Sequence, residues 1–180
     1  MHKALFLDRD GVINKNYGYV YSKENFDFFD GIFDLCRKAT EEGYKIFIIT
    51  NQSGIGRGYY ALEDFMTLTS WMCDQFNEQG ILIDKVYFSP YHVDAAIPEY
   101  KGDHFTRKPN PGMILQAQKE FDIDLDLSII VGDSISDVEA GIAAGIGLRI
   151  QYDIASDVAR TMISSKDFKV NCLSEILNLL

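Results

Sequence analysis

Residues 3–12 decide the fold, and they read KALFLDRDGV. The apolar run before Asp8 has the pattern of a fully buried strand. Asp8 and Asp10 follow it directly, and Gly11 permits a sharp turn that can aim both carboxylates into one crevice. An ordinary acidic turn fits this stretch equally well, because Asp and Gly are common turn residues. The ends of the other strands therefore decide between the two interpretations.

The remainder of the chain alternates short apolar runs with helical patterns. Strands are predicted at 3–7, 44–49, 86–88, 128–131 and 148–150, and helices at 31–42, 62–79, 111–121 and 138–144. Asn110 is expected to cap the third helix, with Pro111 as its first residue. The alternation favours an α/β fold, a three-layer, Rossmann-like parallel sheet with helices on both faces. No linker or repeat interrupts it, so we expect one domain over residues 1–180.

The amino-acid composition limits the kinds of binding partner that can be expected. The 180 residues carry 17 Lys and Arg against 27 Asp and Glu, a formal net charge of −10. This balance disfavours nucleic acid, because binding to a phosphate backbone depends on clustered Lys and Arg. No apolar run approaches the ~20 residues that cross a bilayer, so no membrane partner is expected. The N-terminus shows no signal-peptide pattern, and three scattered cysteines form neither a disulfide framework nor a zinc site. We expect a cytoplasmic monomer.

Polar residues follow four of the predicted strands. After Asp8, the second strand leads into Thr50-Asn51-Gln52-Ser53, the third into a long segment ending in Arg107-Lys108, and the fourth into Gly132-Asp133-Ser134. Taken singly, these are ordinary loop, capping or solvated residues. In a parallel sheet, however, the carboxyl ends of the strands meet at one edge. The four sets then converge on one crevice.

Three acids in that crevice predict a divalent cation. Asp8, Asp10 and Asp133 held ~4 Å apart would repel by about 4 kcal/mol per pair at an effective dielectric constant of ~20. A cation removes this repulsion, and carboxylate oxygens together with water select Mg²⁺. A cation next to Thr50 and Lys108 suits a phosphate group, so the residues predict phosphoryl chemistry.

Together these motifs resemble those of the haloacid dehalogenase superfamily of phosphatases. The matching residues, in chain order, are Asp8-Arg9-Asp10-Gly11-Val12, Thr50, Lys108 and Gly132-Asp133-Ser134-Ile135-Ser136-Asp137. The resemblance implies catalysis through an aspartyl phosphate. Asp8 would attack phosphorus, and Asp10 would protonate the leaving group and then activate water. Thr50 and Lys108 would hold the transferring group.

The same resemblance implies a ligand set for the cation. Mg²⁺ would be bound by the Asp8 side chain, the Asp10 carbonyl and Asp133. Asp137 would lie in the outer shell and orient Lys108. The intervals between the first three motifs hold only one helix, one strand and connecting loops each, so a capless member is expected.

Finer features resemble the D-glycero-D-manno-heptose 1,7-bisphosphate 7-phosphatase and histidinol-phosphate phosphatase family. They are the strings DRDGVIN at 8–14, YGYV at 17–20, NQSGIGRG at 51–58 and RKPNPGM at 107–113. Substrate contacts are implied for Arg9, Asn16, Tyr17, Gly18, Tyr19, Asn51, Gln52, Ser53, Arg57, Arg107 and Ser134. Arg107 suits the second phosphate of a sugar bisphosphate, because a guanidinium binds phosphate bidentately.

One segment departs from that family's pattern. The family commonly carries zinc in the long loop, with Cys-x-His and Cys-x-Cys ligands, but these positions are here Ser89, Tyr91, His104 and Thr106. A lone His does not make a tetrahedral zinc site. We therefore expect no structural zinc. Aromatic packing is expected to order the loop instead, through Tyr87, Phe88, Tyr91, Tyr100 and Phe105.

The leading expectation is an Mg²⁺-dependent phosphatase that removes the 7-phosphate of D-glycero-D-manno-heptose 1,7-bisphosphate, on the route to nucleotide-heptose and lipopolysaccharide precursors. Histidinol phosphate is the alternative substrate, although its amine would favour a carboxylate where Arg107 stands. A phospho-accepting receiver module belongs to a different class, but its acceptor Asp is not part of an Asp-x-Asp pair. A nucleic-acid 3′-phosphatase fits the motifs and conflicts with the net charge of −10. An inactive scaffold is disfavoured because every motif position is filled.

Overall fold

The computed structural model describes residues 1–180 and contains one seven-stranded sheet. The strands are β1 (Ala4–Leu7), β2 (Lys45–Asn51), β3 (Lys85–Ser89), β4 (Ile129–Gly132), β5 (Leu148–Tyr152), β6 (Arg160–Met162) and β7 (Asp167–Val170). Their order across the sheet is β3-β2-β1-β4-β5-β7-β6. All neighbours pair in parallel except β6, which runs antiparallel to β7. The predicted parallel α/β sheet is therefore confirmed.

Six α-helices connect and cover these strands. They are α1 (Ile32–Glu41), α2 (Ser53–Arg57), α3 (Leu62–Glu78), α4 (Gly112–Phe121), α5 (Ile135–Ala144) and α6 (Ser174–Leu177). The chain builds the sheet outward from β1 on one side and from β4 on the other, so the strand order switches between these two neighbours. Ligands of open α/β sheets bind beyond the carboxyl ends of the strands at such a switch point. None of the helices is long and apolar enough to span a membrane.

The sheet is buried on both faces, which explains the continuous apolar runs of its central strands. Leu5 and Leu7 face a core shared with α1 and α3. Ala4 and Phe6 point the other way, into a second core shared with α4 and α5. Each large side chain buried in this way contributes about 1.5–3 kcal/mol. These two cores hold β1 rigidly, and β1 carries Asp8.

Two helix starts near the site differ from the prediction. The expected Asn110 cap was wrong, because α4 begins at Gly112 and the Asn110 amide donates to Asp103 Oδ1 (3.1 Å) and the His104 carbonyl (3.0 Å). α5 begins at Ile135, earlier than predicted. Ser134 flanks it, with its hydroxyl donating to Asp137 Oδ2 at 3.0 Å and its backbone N–H to the same oxygen at 3.1 Å.

The last thirty or so residues hold elements that the sequence did not predict. They are β6, β7 and α6, and the short α2 was missed earlier in the chain. All three residues of β6 are exposed, so no apolar pattern marks it. β7 is a strand because it extends the sheet beside β5, with Ile150 opposite Phe168 and Tyr152 opposite Val170.

Candidate active site

The turn after β1 places the first acids against β4. The Asp8 backbone N–H donates to the Val131 carbonyl at 2.9 Å, so Asp8 starts from the ladder between the two strands. Gly11 then adopts a φ of +92°, in the left-handed region that favours glycine. A Cβ at this position would lie 1.9 Å from Asp133 Oδ2. Only glycine allows the turn to approach Asp133 this closely.

Three carboxylates meet at this edge of the sheet. Asp8, Asp133 and Asp137 each offer an oxygen, and these oxygens lie within 4.8 Å of one another. Lys108 reaches into the cluster, with Nζ at 3.0 Å from Asp8 Oδ1, 2.5 Å from Asp137 Oδ1 and 2.8 Å from the Ile49 carbonyl. Lys108 is buried, and its single ammonium balances only part of the negative charge of the three acids.

Asn51 fixes the backbone from which Lys108 extends. Its amide donates to the Lys108 carbonyl at 3.0 Å, and its Oδ1 accepts the Lys108 N–H at 3.0 Å. These two hydrogen bonds join the end of β2 to the segment before α4. The ammonium is therefore aimed from a rigid support, although it comes from a loop.

Burial and mutual repulsion raise the pKa values of two acids in the cluster, Asp8 and Asp133. Burial raises the pKa of Asp8 to about 8, and nearby Asp137 and Asp133 add to the effect against the attraction of Lys108. Burial and the neighbouring Asp137 raise the pKa of Asp133 to about 6. Burial opposes charge on Lys108, yet Asp137 and Asp8 outweigh it and raise the pKa of the ammonium. A set of crowded oxygen donors with excess negative charge fits a hard divalent cation such as Mg²⁺.

A crevice of about 290 Å³ opens over the cluster, and it contains most of the predicted site. Its walls bring together Asp8, Asp10, Asn16, Gly18, Tyr19, Thr50, Asn51, Gln52, Ser53, Lys108, Asp133 and Ser134, all of which the sequence singled out. Tyr60 and Ser136 also line it and were missed as site residues. Ser136 lies within the matched motif at 132–137, and that motif was a signal by which it could have been predicted as a site residue. No sequence signal pointed to Tyr60, which follows a short helix.

Four residues predicted to contact substrate do not line this crevice. Arg9 is 1% exposed and its guanidinium points to Asp10, so its side chain does not line the crevice and its predicted substrate contact stays a prediction. Tyr17 donates its hydroxyl to Asp27 on the outside of the molecule (2.6 Å). Arg57 contacts the His92 ring at 3.0 Å, and Arg107 donates to the Tyr91 carbonyl at 3.0 Å. Arg107 ends the long loop after β3, and Arg57, the last residue of α2, contacts that loop at His92.

The long loop after β3 is tied across its base by the residues that stand at the expected zinc positions. Thr106 Oγ1 donates to Ser89 Oγ at 3.1 Å, and His104 Nδ1 lies 2.8 Å from the same Thr106 oxygen. The rings of Tyr91 and His104 stack with centroids 3.7 Å apart. Of the expected aromatic contacts, Tyr91 with Tyr100 is present at 5.7 Å.

The other aromatic residues do not order this loop as expected. Phe105 is 56% exposed. Tyr87 packs toward Phe47 in the second core, and Phe88 packs on Phe65 of α3. Hydrogen bonds and the Tyr91–His104 stack thus close the base of the loop, and of the expected aromatic residues Phe88 and Tyr100 pack against the cluster of Ile55, Tyr60 and Phe65.

Known proteins with the same fold and sequence pattern identify the class. A family model described as polynucleotide kinase 3 phosphatase matches residues 4–171. A solved HAD-like phosphatase from Mesorhizobium loti has a TM-score of 0.87 at 31% identity and covers 98% of this chain and 85% of that chain. D,D-heptose 1,7-bisphosphate phosphatase from B. bronchiseptica, solved with magnesium and phosphate, shares the fold with a TM-score of 0.81 at 23% identity, covering 98% and 97%. Fold and site thus define a phosphatase of the haloacid dehalogenase superfamily.

Sequence relatives narrow the class to one family. D-glycero-alpha-D-manno-heptose-1,7-bisphosphate 7-phosphatase of Burkholderia mallei is 53% identical over 146 residues, which are 81% of this chain and 77% of that protein. D-glycero-beta-D-manno-heptose-1,7-bisphosphate 7-phosphatase of Yersinia pestis is 41% identical over 173 residues, 96% of this chain and 92% of that protein. The chain belongs to the D-glycero-D-manno-heptose 1,7-bisphosphate 7-phosphatase family, and the resemblance seen in its motifs is confirmed.

Proposed function

We propose that this chain hydrolyses the 7-phosphate of D-glycero-D-manno-heptose 1,7-bisphosphate through an aspartyl-phosphate intermediate, with Mg²⁺ as cofactor. The observation that carries the proposal is the buried cluster of Asp8, Asp133 and Asp137 around Lys108, at the switch point of the sheet. Relatives at 53% and 41% identity are named for this activity. The chain is proposed to act as one capless domain over residues 1–180, in the cytoplasm and as a monomer.

The cation has a defined set of protein donors in this proposal. The carboxylates of Asp8 and Asp133 and the carbonyl of Asp10 would hold Mg²⁺, while Asp137 stays behind and orients Lys108. When bound, the cation neutralises charge on the phosphoryl oxygens. Gly11 supports this arrangement, because it is the absence of a Cβ that lets Asp133 approach the β1 turn.

The protein residues divide the reaction between them. Asp8 attacks phosphorus and becomes phosphorylated, while Asp10 gives a proton to the leaving sugar oxygen as the P–O bond breaks. Water then attacks the aspartyl phosphate, Asp10 takes its proton, and free phosphate leaves. Thr50 and Lys108 bind the transferred group throughout. The geometry supports these roles, since all four side chains line the same crevice.

The second phosphate has two candidate arginines outside the crevice. Arg57 and Arg107 flank His92, and burial together with the charge of Arg57 lowers the pKa of Arg107. This concentration of positive charge beside the crevice favours a bisphosphate over histidinol phosphate, whose amine would be repelled there.

Phosphate release from a substrate panel tests the proposal. The panel contains both anomers of the heptose bisphosphate, the 7-monophosphate, fructose 1,6-bisphosphate, histidinol phosphate and a 3′-phosphorylated oligonucleotide, each with Mg²⁺ and with chelator. We expect the heptose bisphosphate to give the highest kcat/KM, with Mg²⁺ only. Preference for the oligonucleotide would favour the activity named by the matching family model, and preference for histidinol phosphate would overturn the assignment of the substrate.

A persistent phosphoprotein would point to a different class. A receiver-like module would keep its aspartyl phosphate for minutes and release little phosphate. Rapid turnover of a hydroxylamine-labile label on Asp8 is the expected result, and a stoichiometric, stable label without turnover would contradict the proposed enzyme.

A further inference from the structure

The carboxylate of Asp10 is held by three buried side chains, a group that we call the Asp10 clamp: Arg9, Asn14 and Gln52. Arg9 Nη2 lies 2.8 Å from both carboxylate oxygens. Asn14 Nδ2 donates to Oδ1 at 3.0 Å, and Gln52 Nε2 donates to Oδ2 at 3.0 Å. The three donors are 1%, 0% and 2% exposed. Every side chain that donates to this carboxylate is fixed inside the protein, which restricts the orientation of the carboxylate.

Burial of the Arg9 side chain in this position costs free energy. Its guanidinium lies between the rings of Phe26 and Phe65, with centroid distances of 6.0 and 5.8 Å. Its Nε and Nη1 have no hydrogen-bond partner. A buried cation with unpartnered nitrogens costs desolvation energy, and an apolar side chain of similar size would often serve stability as well or better. Stability alone does not account for Arg9.

The contacts of Arg9 link Asp10 to the wall of the crevice. The same Nη2 that holds Asp10 also donates to the Val20 carbonyl at 2.6 Å. Val20 ends the segment that contributes Asn16, Gly18 and Tyr19 to the crevice. One nitrogen therefore fixes the carboxyl group and the adjacent substrate-facing segment relative to each other.

Gln52 forms the second arm of the clamp and extends it to Tyr60. Its Nε2 donates to Asp10 and also to Thr50 Oγ1 at 2.9 Å. Its Oε1 accepts the Tyr60 hydroxyl at 2.5 Å, which holds the amide in place while Nε2 faces the acceptor oxygens of Asp10. Tyr60 itself is 7% exposed and is held against Gly54, where a Cβ would lie 2.1 Å from the Tyr60 ring.

We infer that Arg9 and Tyr60 are positioning residues, which set the Asp10 carboxyl group for proton transfer to the leaving oxygen. Arg9 acts directly on Asp10, and Tyr60 acts through Gln52. The inference rests on the proposed function, in which Asp10 gives its proton to the leaving oxygen as the P–O bond breaks and regains one from the attacking water. It explains why Arg9 is buried beneath the crevice and does not line it.

Dependence of the rate on the leaving group tests this inference. A sugar phosphate expels an alkoxide and needs the proton, whereas p-nitrophenyl phosphate expels a stable phenolate and needs it little. A general acid contributes about 10²–10⁴-fold, so we expect Arg9→Gln to lower kcat on the sugar phosphate by roughly 10–100-fold. We expect less than about threefold loss on p-nitrophenyl phosphate and little change in KM on either substrate. Arg9→Lys keeps the charge and one donor direction and should recover part of the loss.

Arg149→Gln is the matched control. Arg149 also binds one carboxylate, Asp167 (2.6 Å), and one backbone carbonyl, that of Ile146 (2.6 Å), and its side chain is 11% exposed. It lies outside the crevice residues. This variant loses the same kinds of bonds, so we expect lower thermal stability with the ratio of the two substrate rates unchanged.

Tyr60→Phe keeps the test decisive if Arg9→Gln does not fold. It removes only the hydroxyl bonded to Gln52, and one hydrogen bond predicts a loss of about 2–10-fold on the sugar phosphate with none on p-nitrophenyl phosphate. Equal losses on both substrates, in Arg9→Gln or in Tyr60→Phe, would overturn the inference. Failure of the proposed function is a separate result, since the wild-type protein would then not release phosphate from the heptose bisphosphate.

Discussion

Two arginine–carboxylate pairs at different places in the sheet show how differently this protein treats charge. Arg149 and Asp167 join β5 to β7, each keeps some exposure, and hydrogen bonding to Arg149 holds the pKa of Asp167 below its ordinary value. At the crevice, Arg9 pairs with Asp10, and Arg9 is buried with two of its nitrogens unpartnered. Burial also raises the pKa of the neighbouring Asp8 to about 8. The first pair has the features of a stabilising contact. The crevice instead collects acids whose pKa values are raised by burial and by one another, which is typical of functional sites.

Removal of the nucleophile should separate activity from stability most completely. For Asp8→Asn we expect kcat to fall by at least about 10⁴-fold, as for other nucleophile removals. Stability in chelator should be unchanged or higher, because burial raises the pKa of Asp8 to about 8 and so disfavours its charge, while Lys108 keeps Asp137 as its partner. Phosphate release and thermal unfolding measure the two effects, with the surface variant Asp34→Asn as control. Retained turnover would refute the assignment of the nucleophile.

Loss of the Lys108 ammonium should lower the stability of the protein, in contrast to Asp8→Asn. Lys108→Met leaves Asp8 and Asp137 without their shared ammonium, and breaking a buried pair in this way costs about 3–5 kcal/mol. Chemical denaturation measures the loss in free energy of unfolding. Lys166→Met removes an exposed pair with Asp126 and should change it by no more than about 1 kcal/mol. Equal effects of the two variants would show that the crevice charges are not more strongly coupled than surface charges.

Magnesium should stabilise the crevice and leave the rest of the sheet unaffected. At a concentration of 100 times its Kd, a ligand that binds only the folded state adds about 2.7 kcal/mol. We expect a corresponding rise in Tm for the wild type, and most of it should be lost in Asp133→Asn. Asp126→Asn, which alters an exposed acid, should keep the full rise. A full magnesium response in Asp133→Asn would exclude this residue as a ligand.

The Arg149–Asp167 pair should show ordinary acid-side linkage. The pKa of Asp167 is lowered in the folded protein, so its contribution is present above the unfolded pKa of 3.8 and disappears as pH falls through the folded value. We expect Arg149→Gln to lower the free energy of unfolding at pH 7 by about 1.5 kcal/mol. Denaturation at several pH values should show the difference narrowing below pH ~4. A difference that persists undiminished in acid would contradict the electrostatic origin.

The central part of the fold was predictable because its signals are local. β1, β2 and β4 are buried on both faces, so their apolar runs are continuous and easily recognised. β6 and β7 are short and mostly exposed or half-buried, and they form strands only because β5 offers an edge. That edge is a long-range property. The sequence around 160–170 contains no periodicity that could have revealed it.

The site was predictable where residues directly follow strands, as for Asp8, Thr50 and Asp133. The direction in which a side chain points was harder to predict than which residues lie near the site. Arg9 stands between two crevice acids in sequence, yet its side chain turns inward, because the backbone of the turn and not the motif sets where it points. Tyr60 reaches the crevice through its close packing on Gly54, a contact between helix and loop that no local pattern encodes.

The hydrogen bond between Ser89 and Thr106 has a consequence for how this protein can change over time. The bond ties the two ends of the long loop together, so the tip at 93–103 lies outside the closed neck. Exchanges at the exposed positions of the tip, away from Ala95 and Ile97 that contact Gly56, leave Lys108 in place relative to Asp8, since Asn51 also anchors its backbone. Exposed loop tips on rigid supports are where sequence varies most freely. The exposed part of the tip can therefore change in sequence while the geometry of Asp8 and Lys108 is kept.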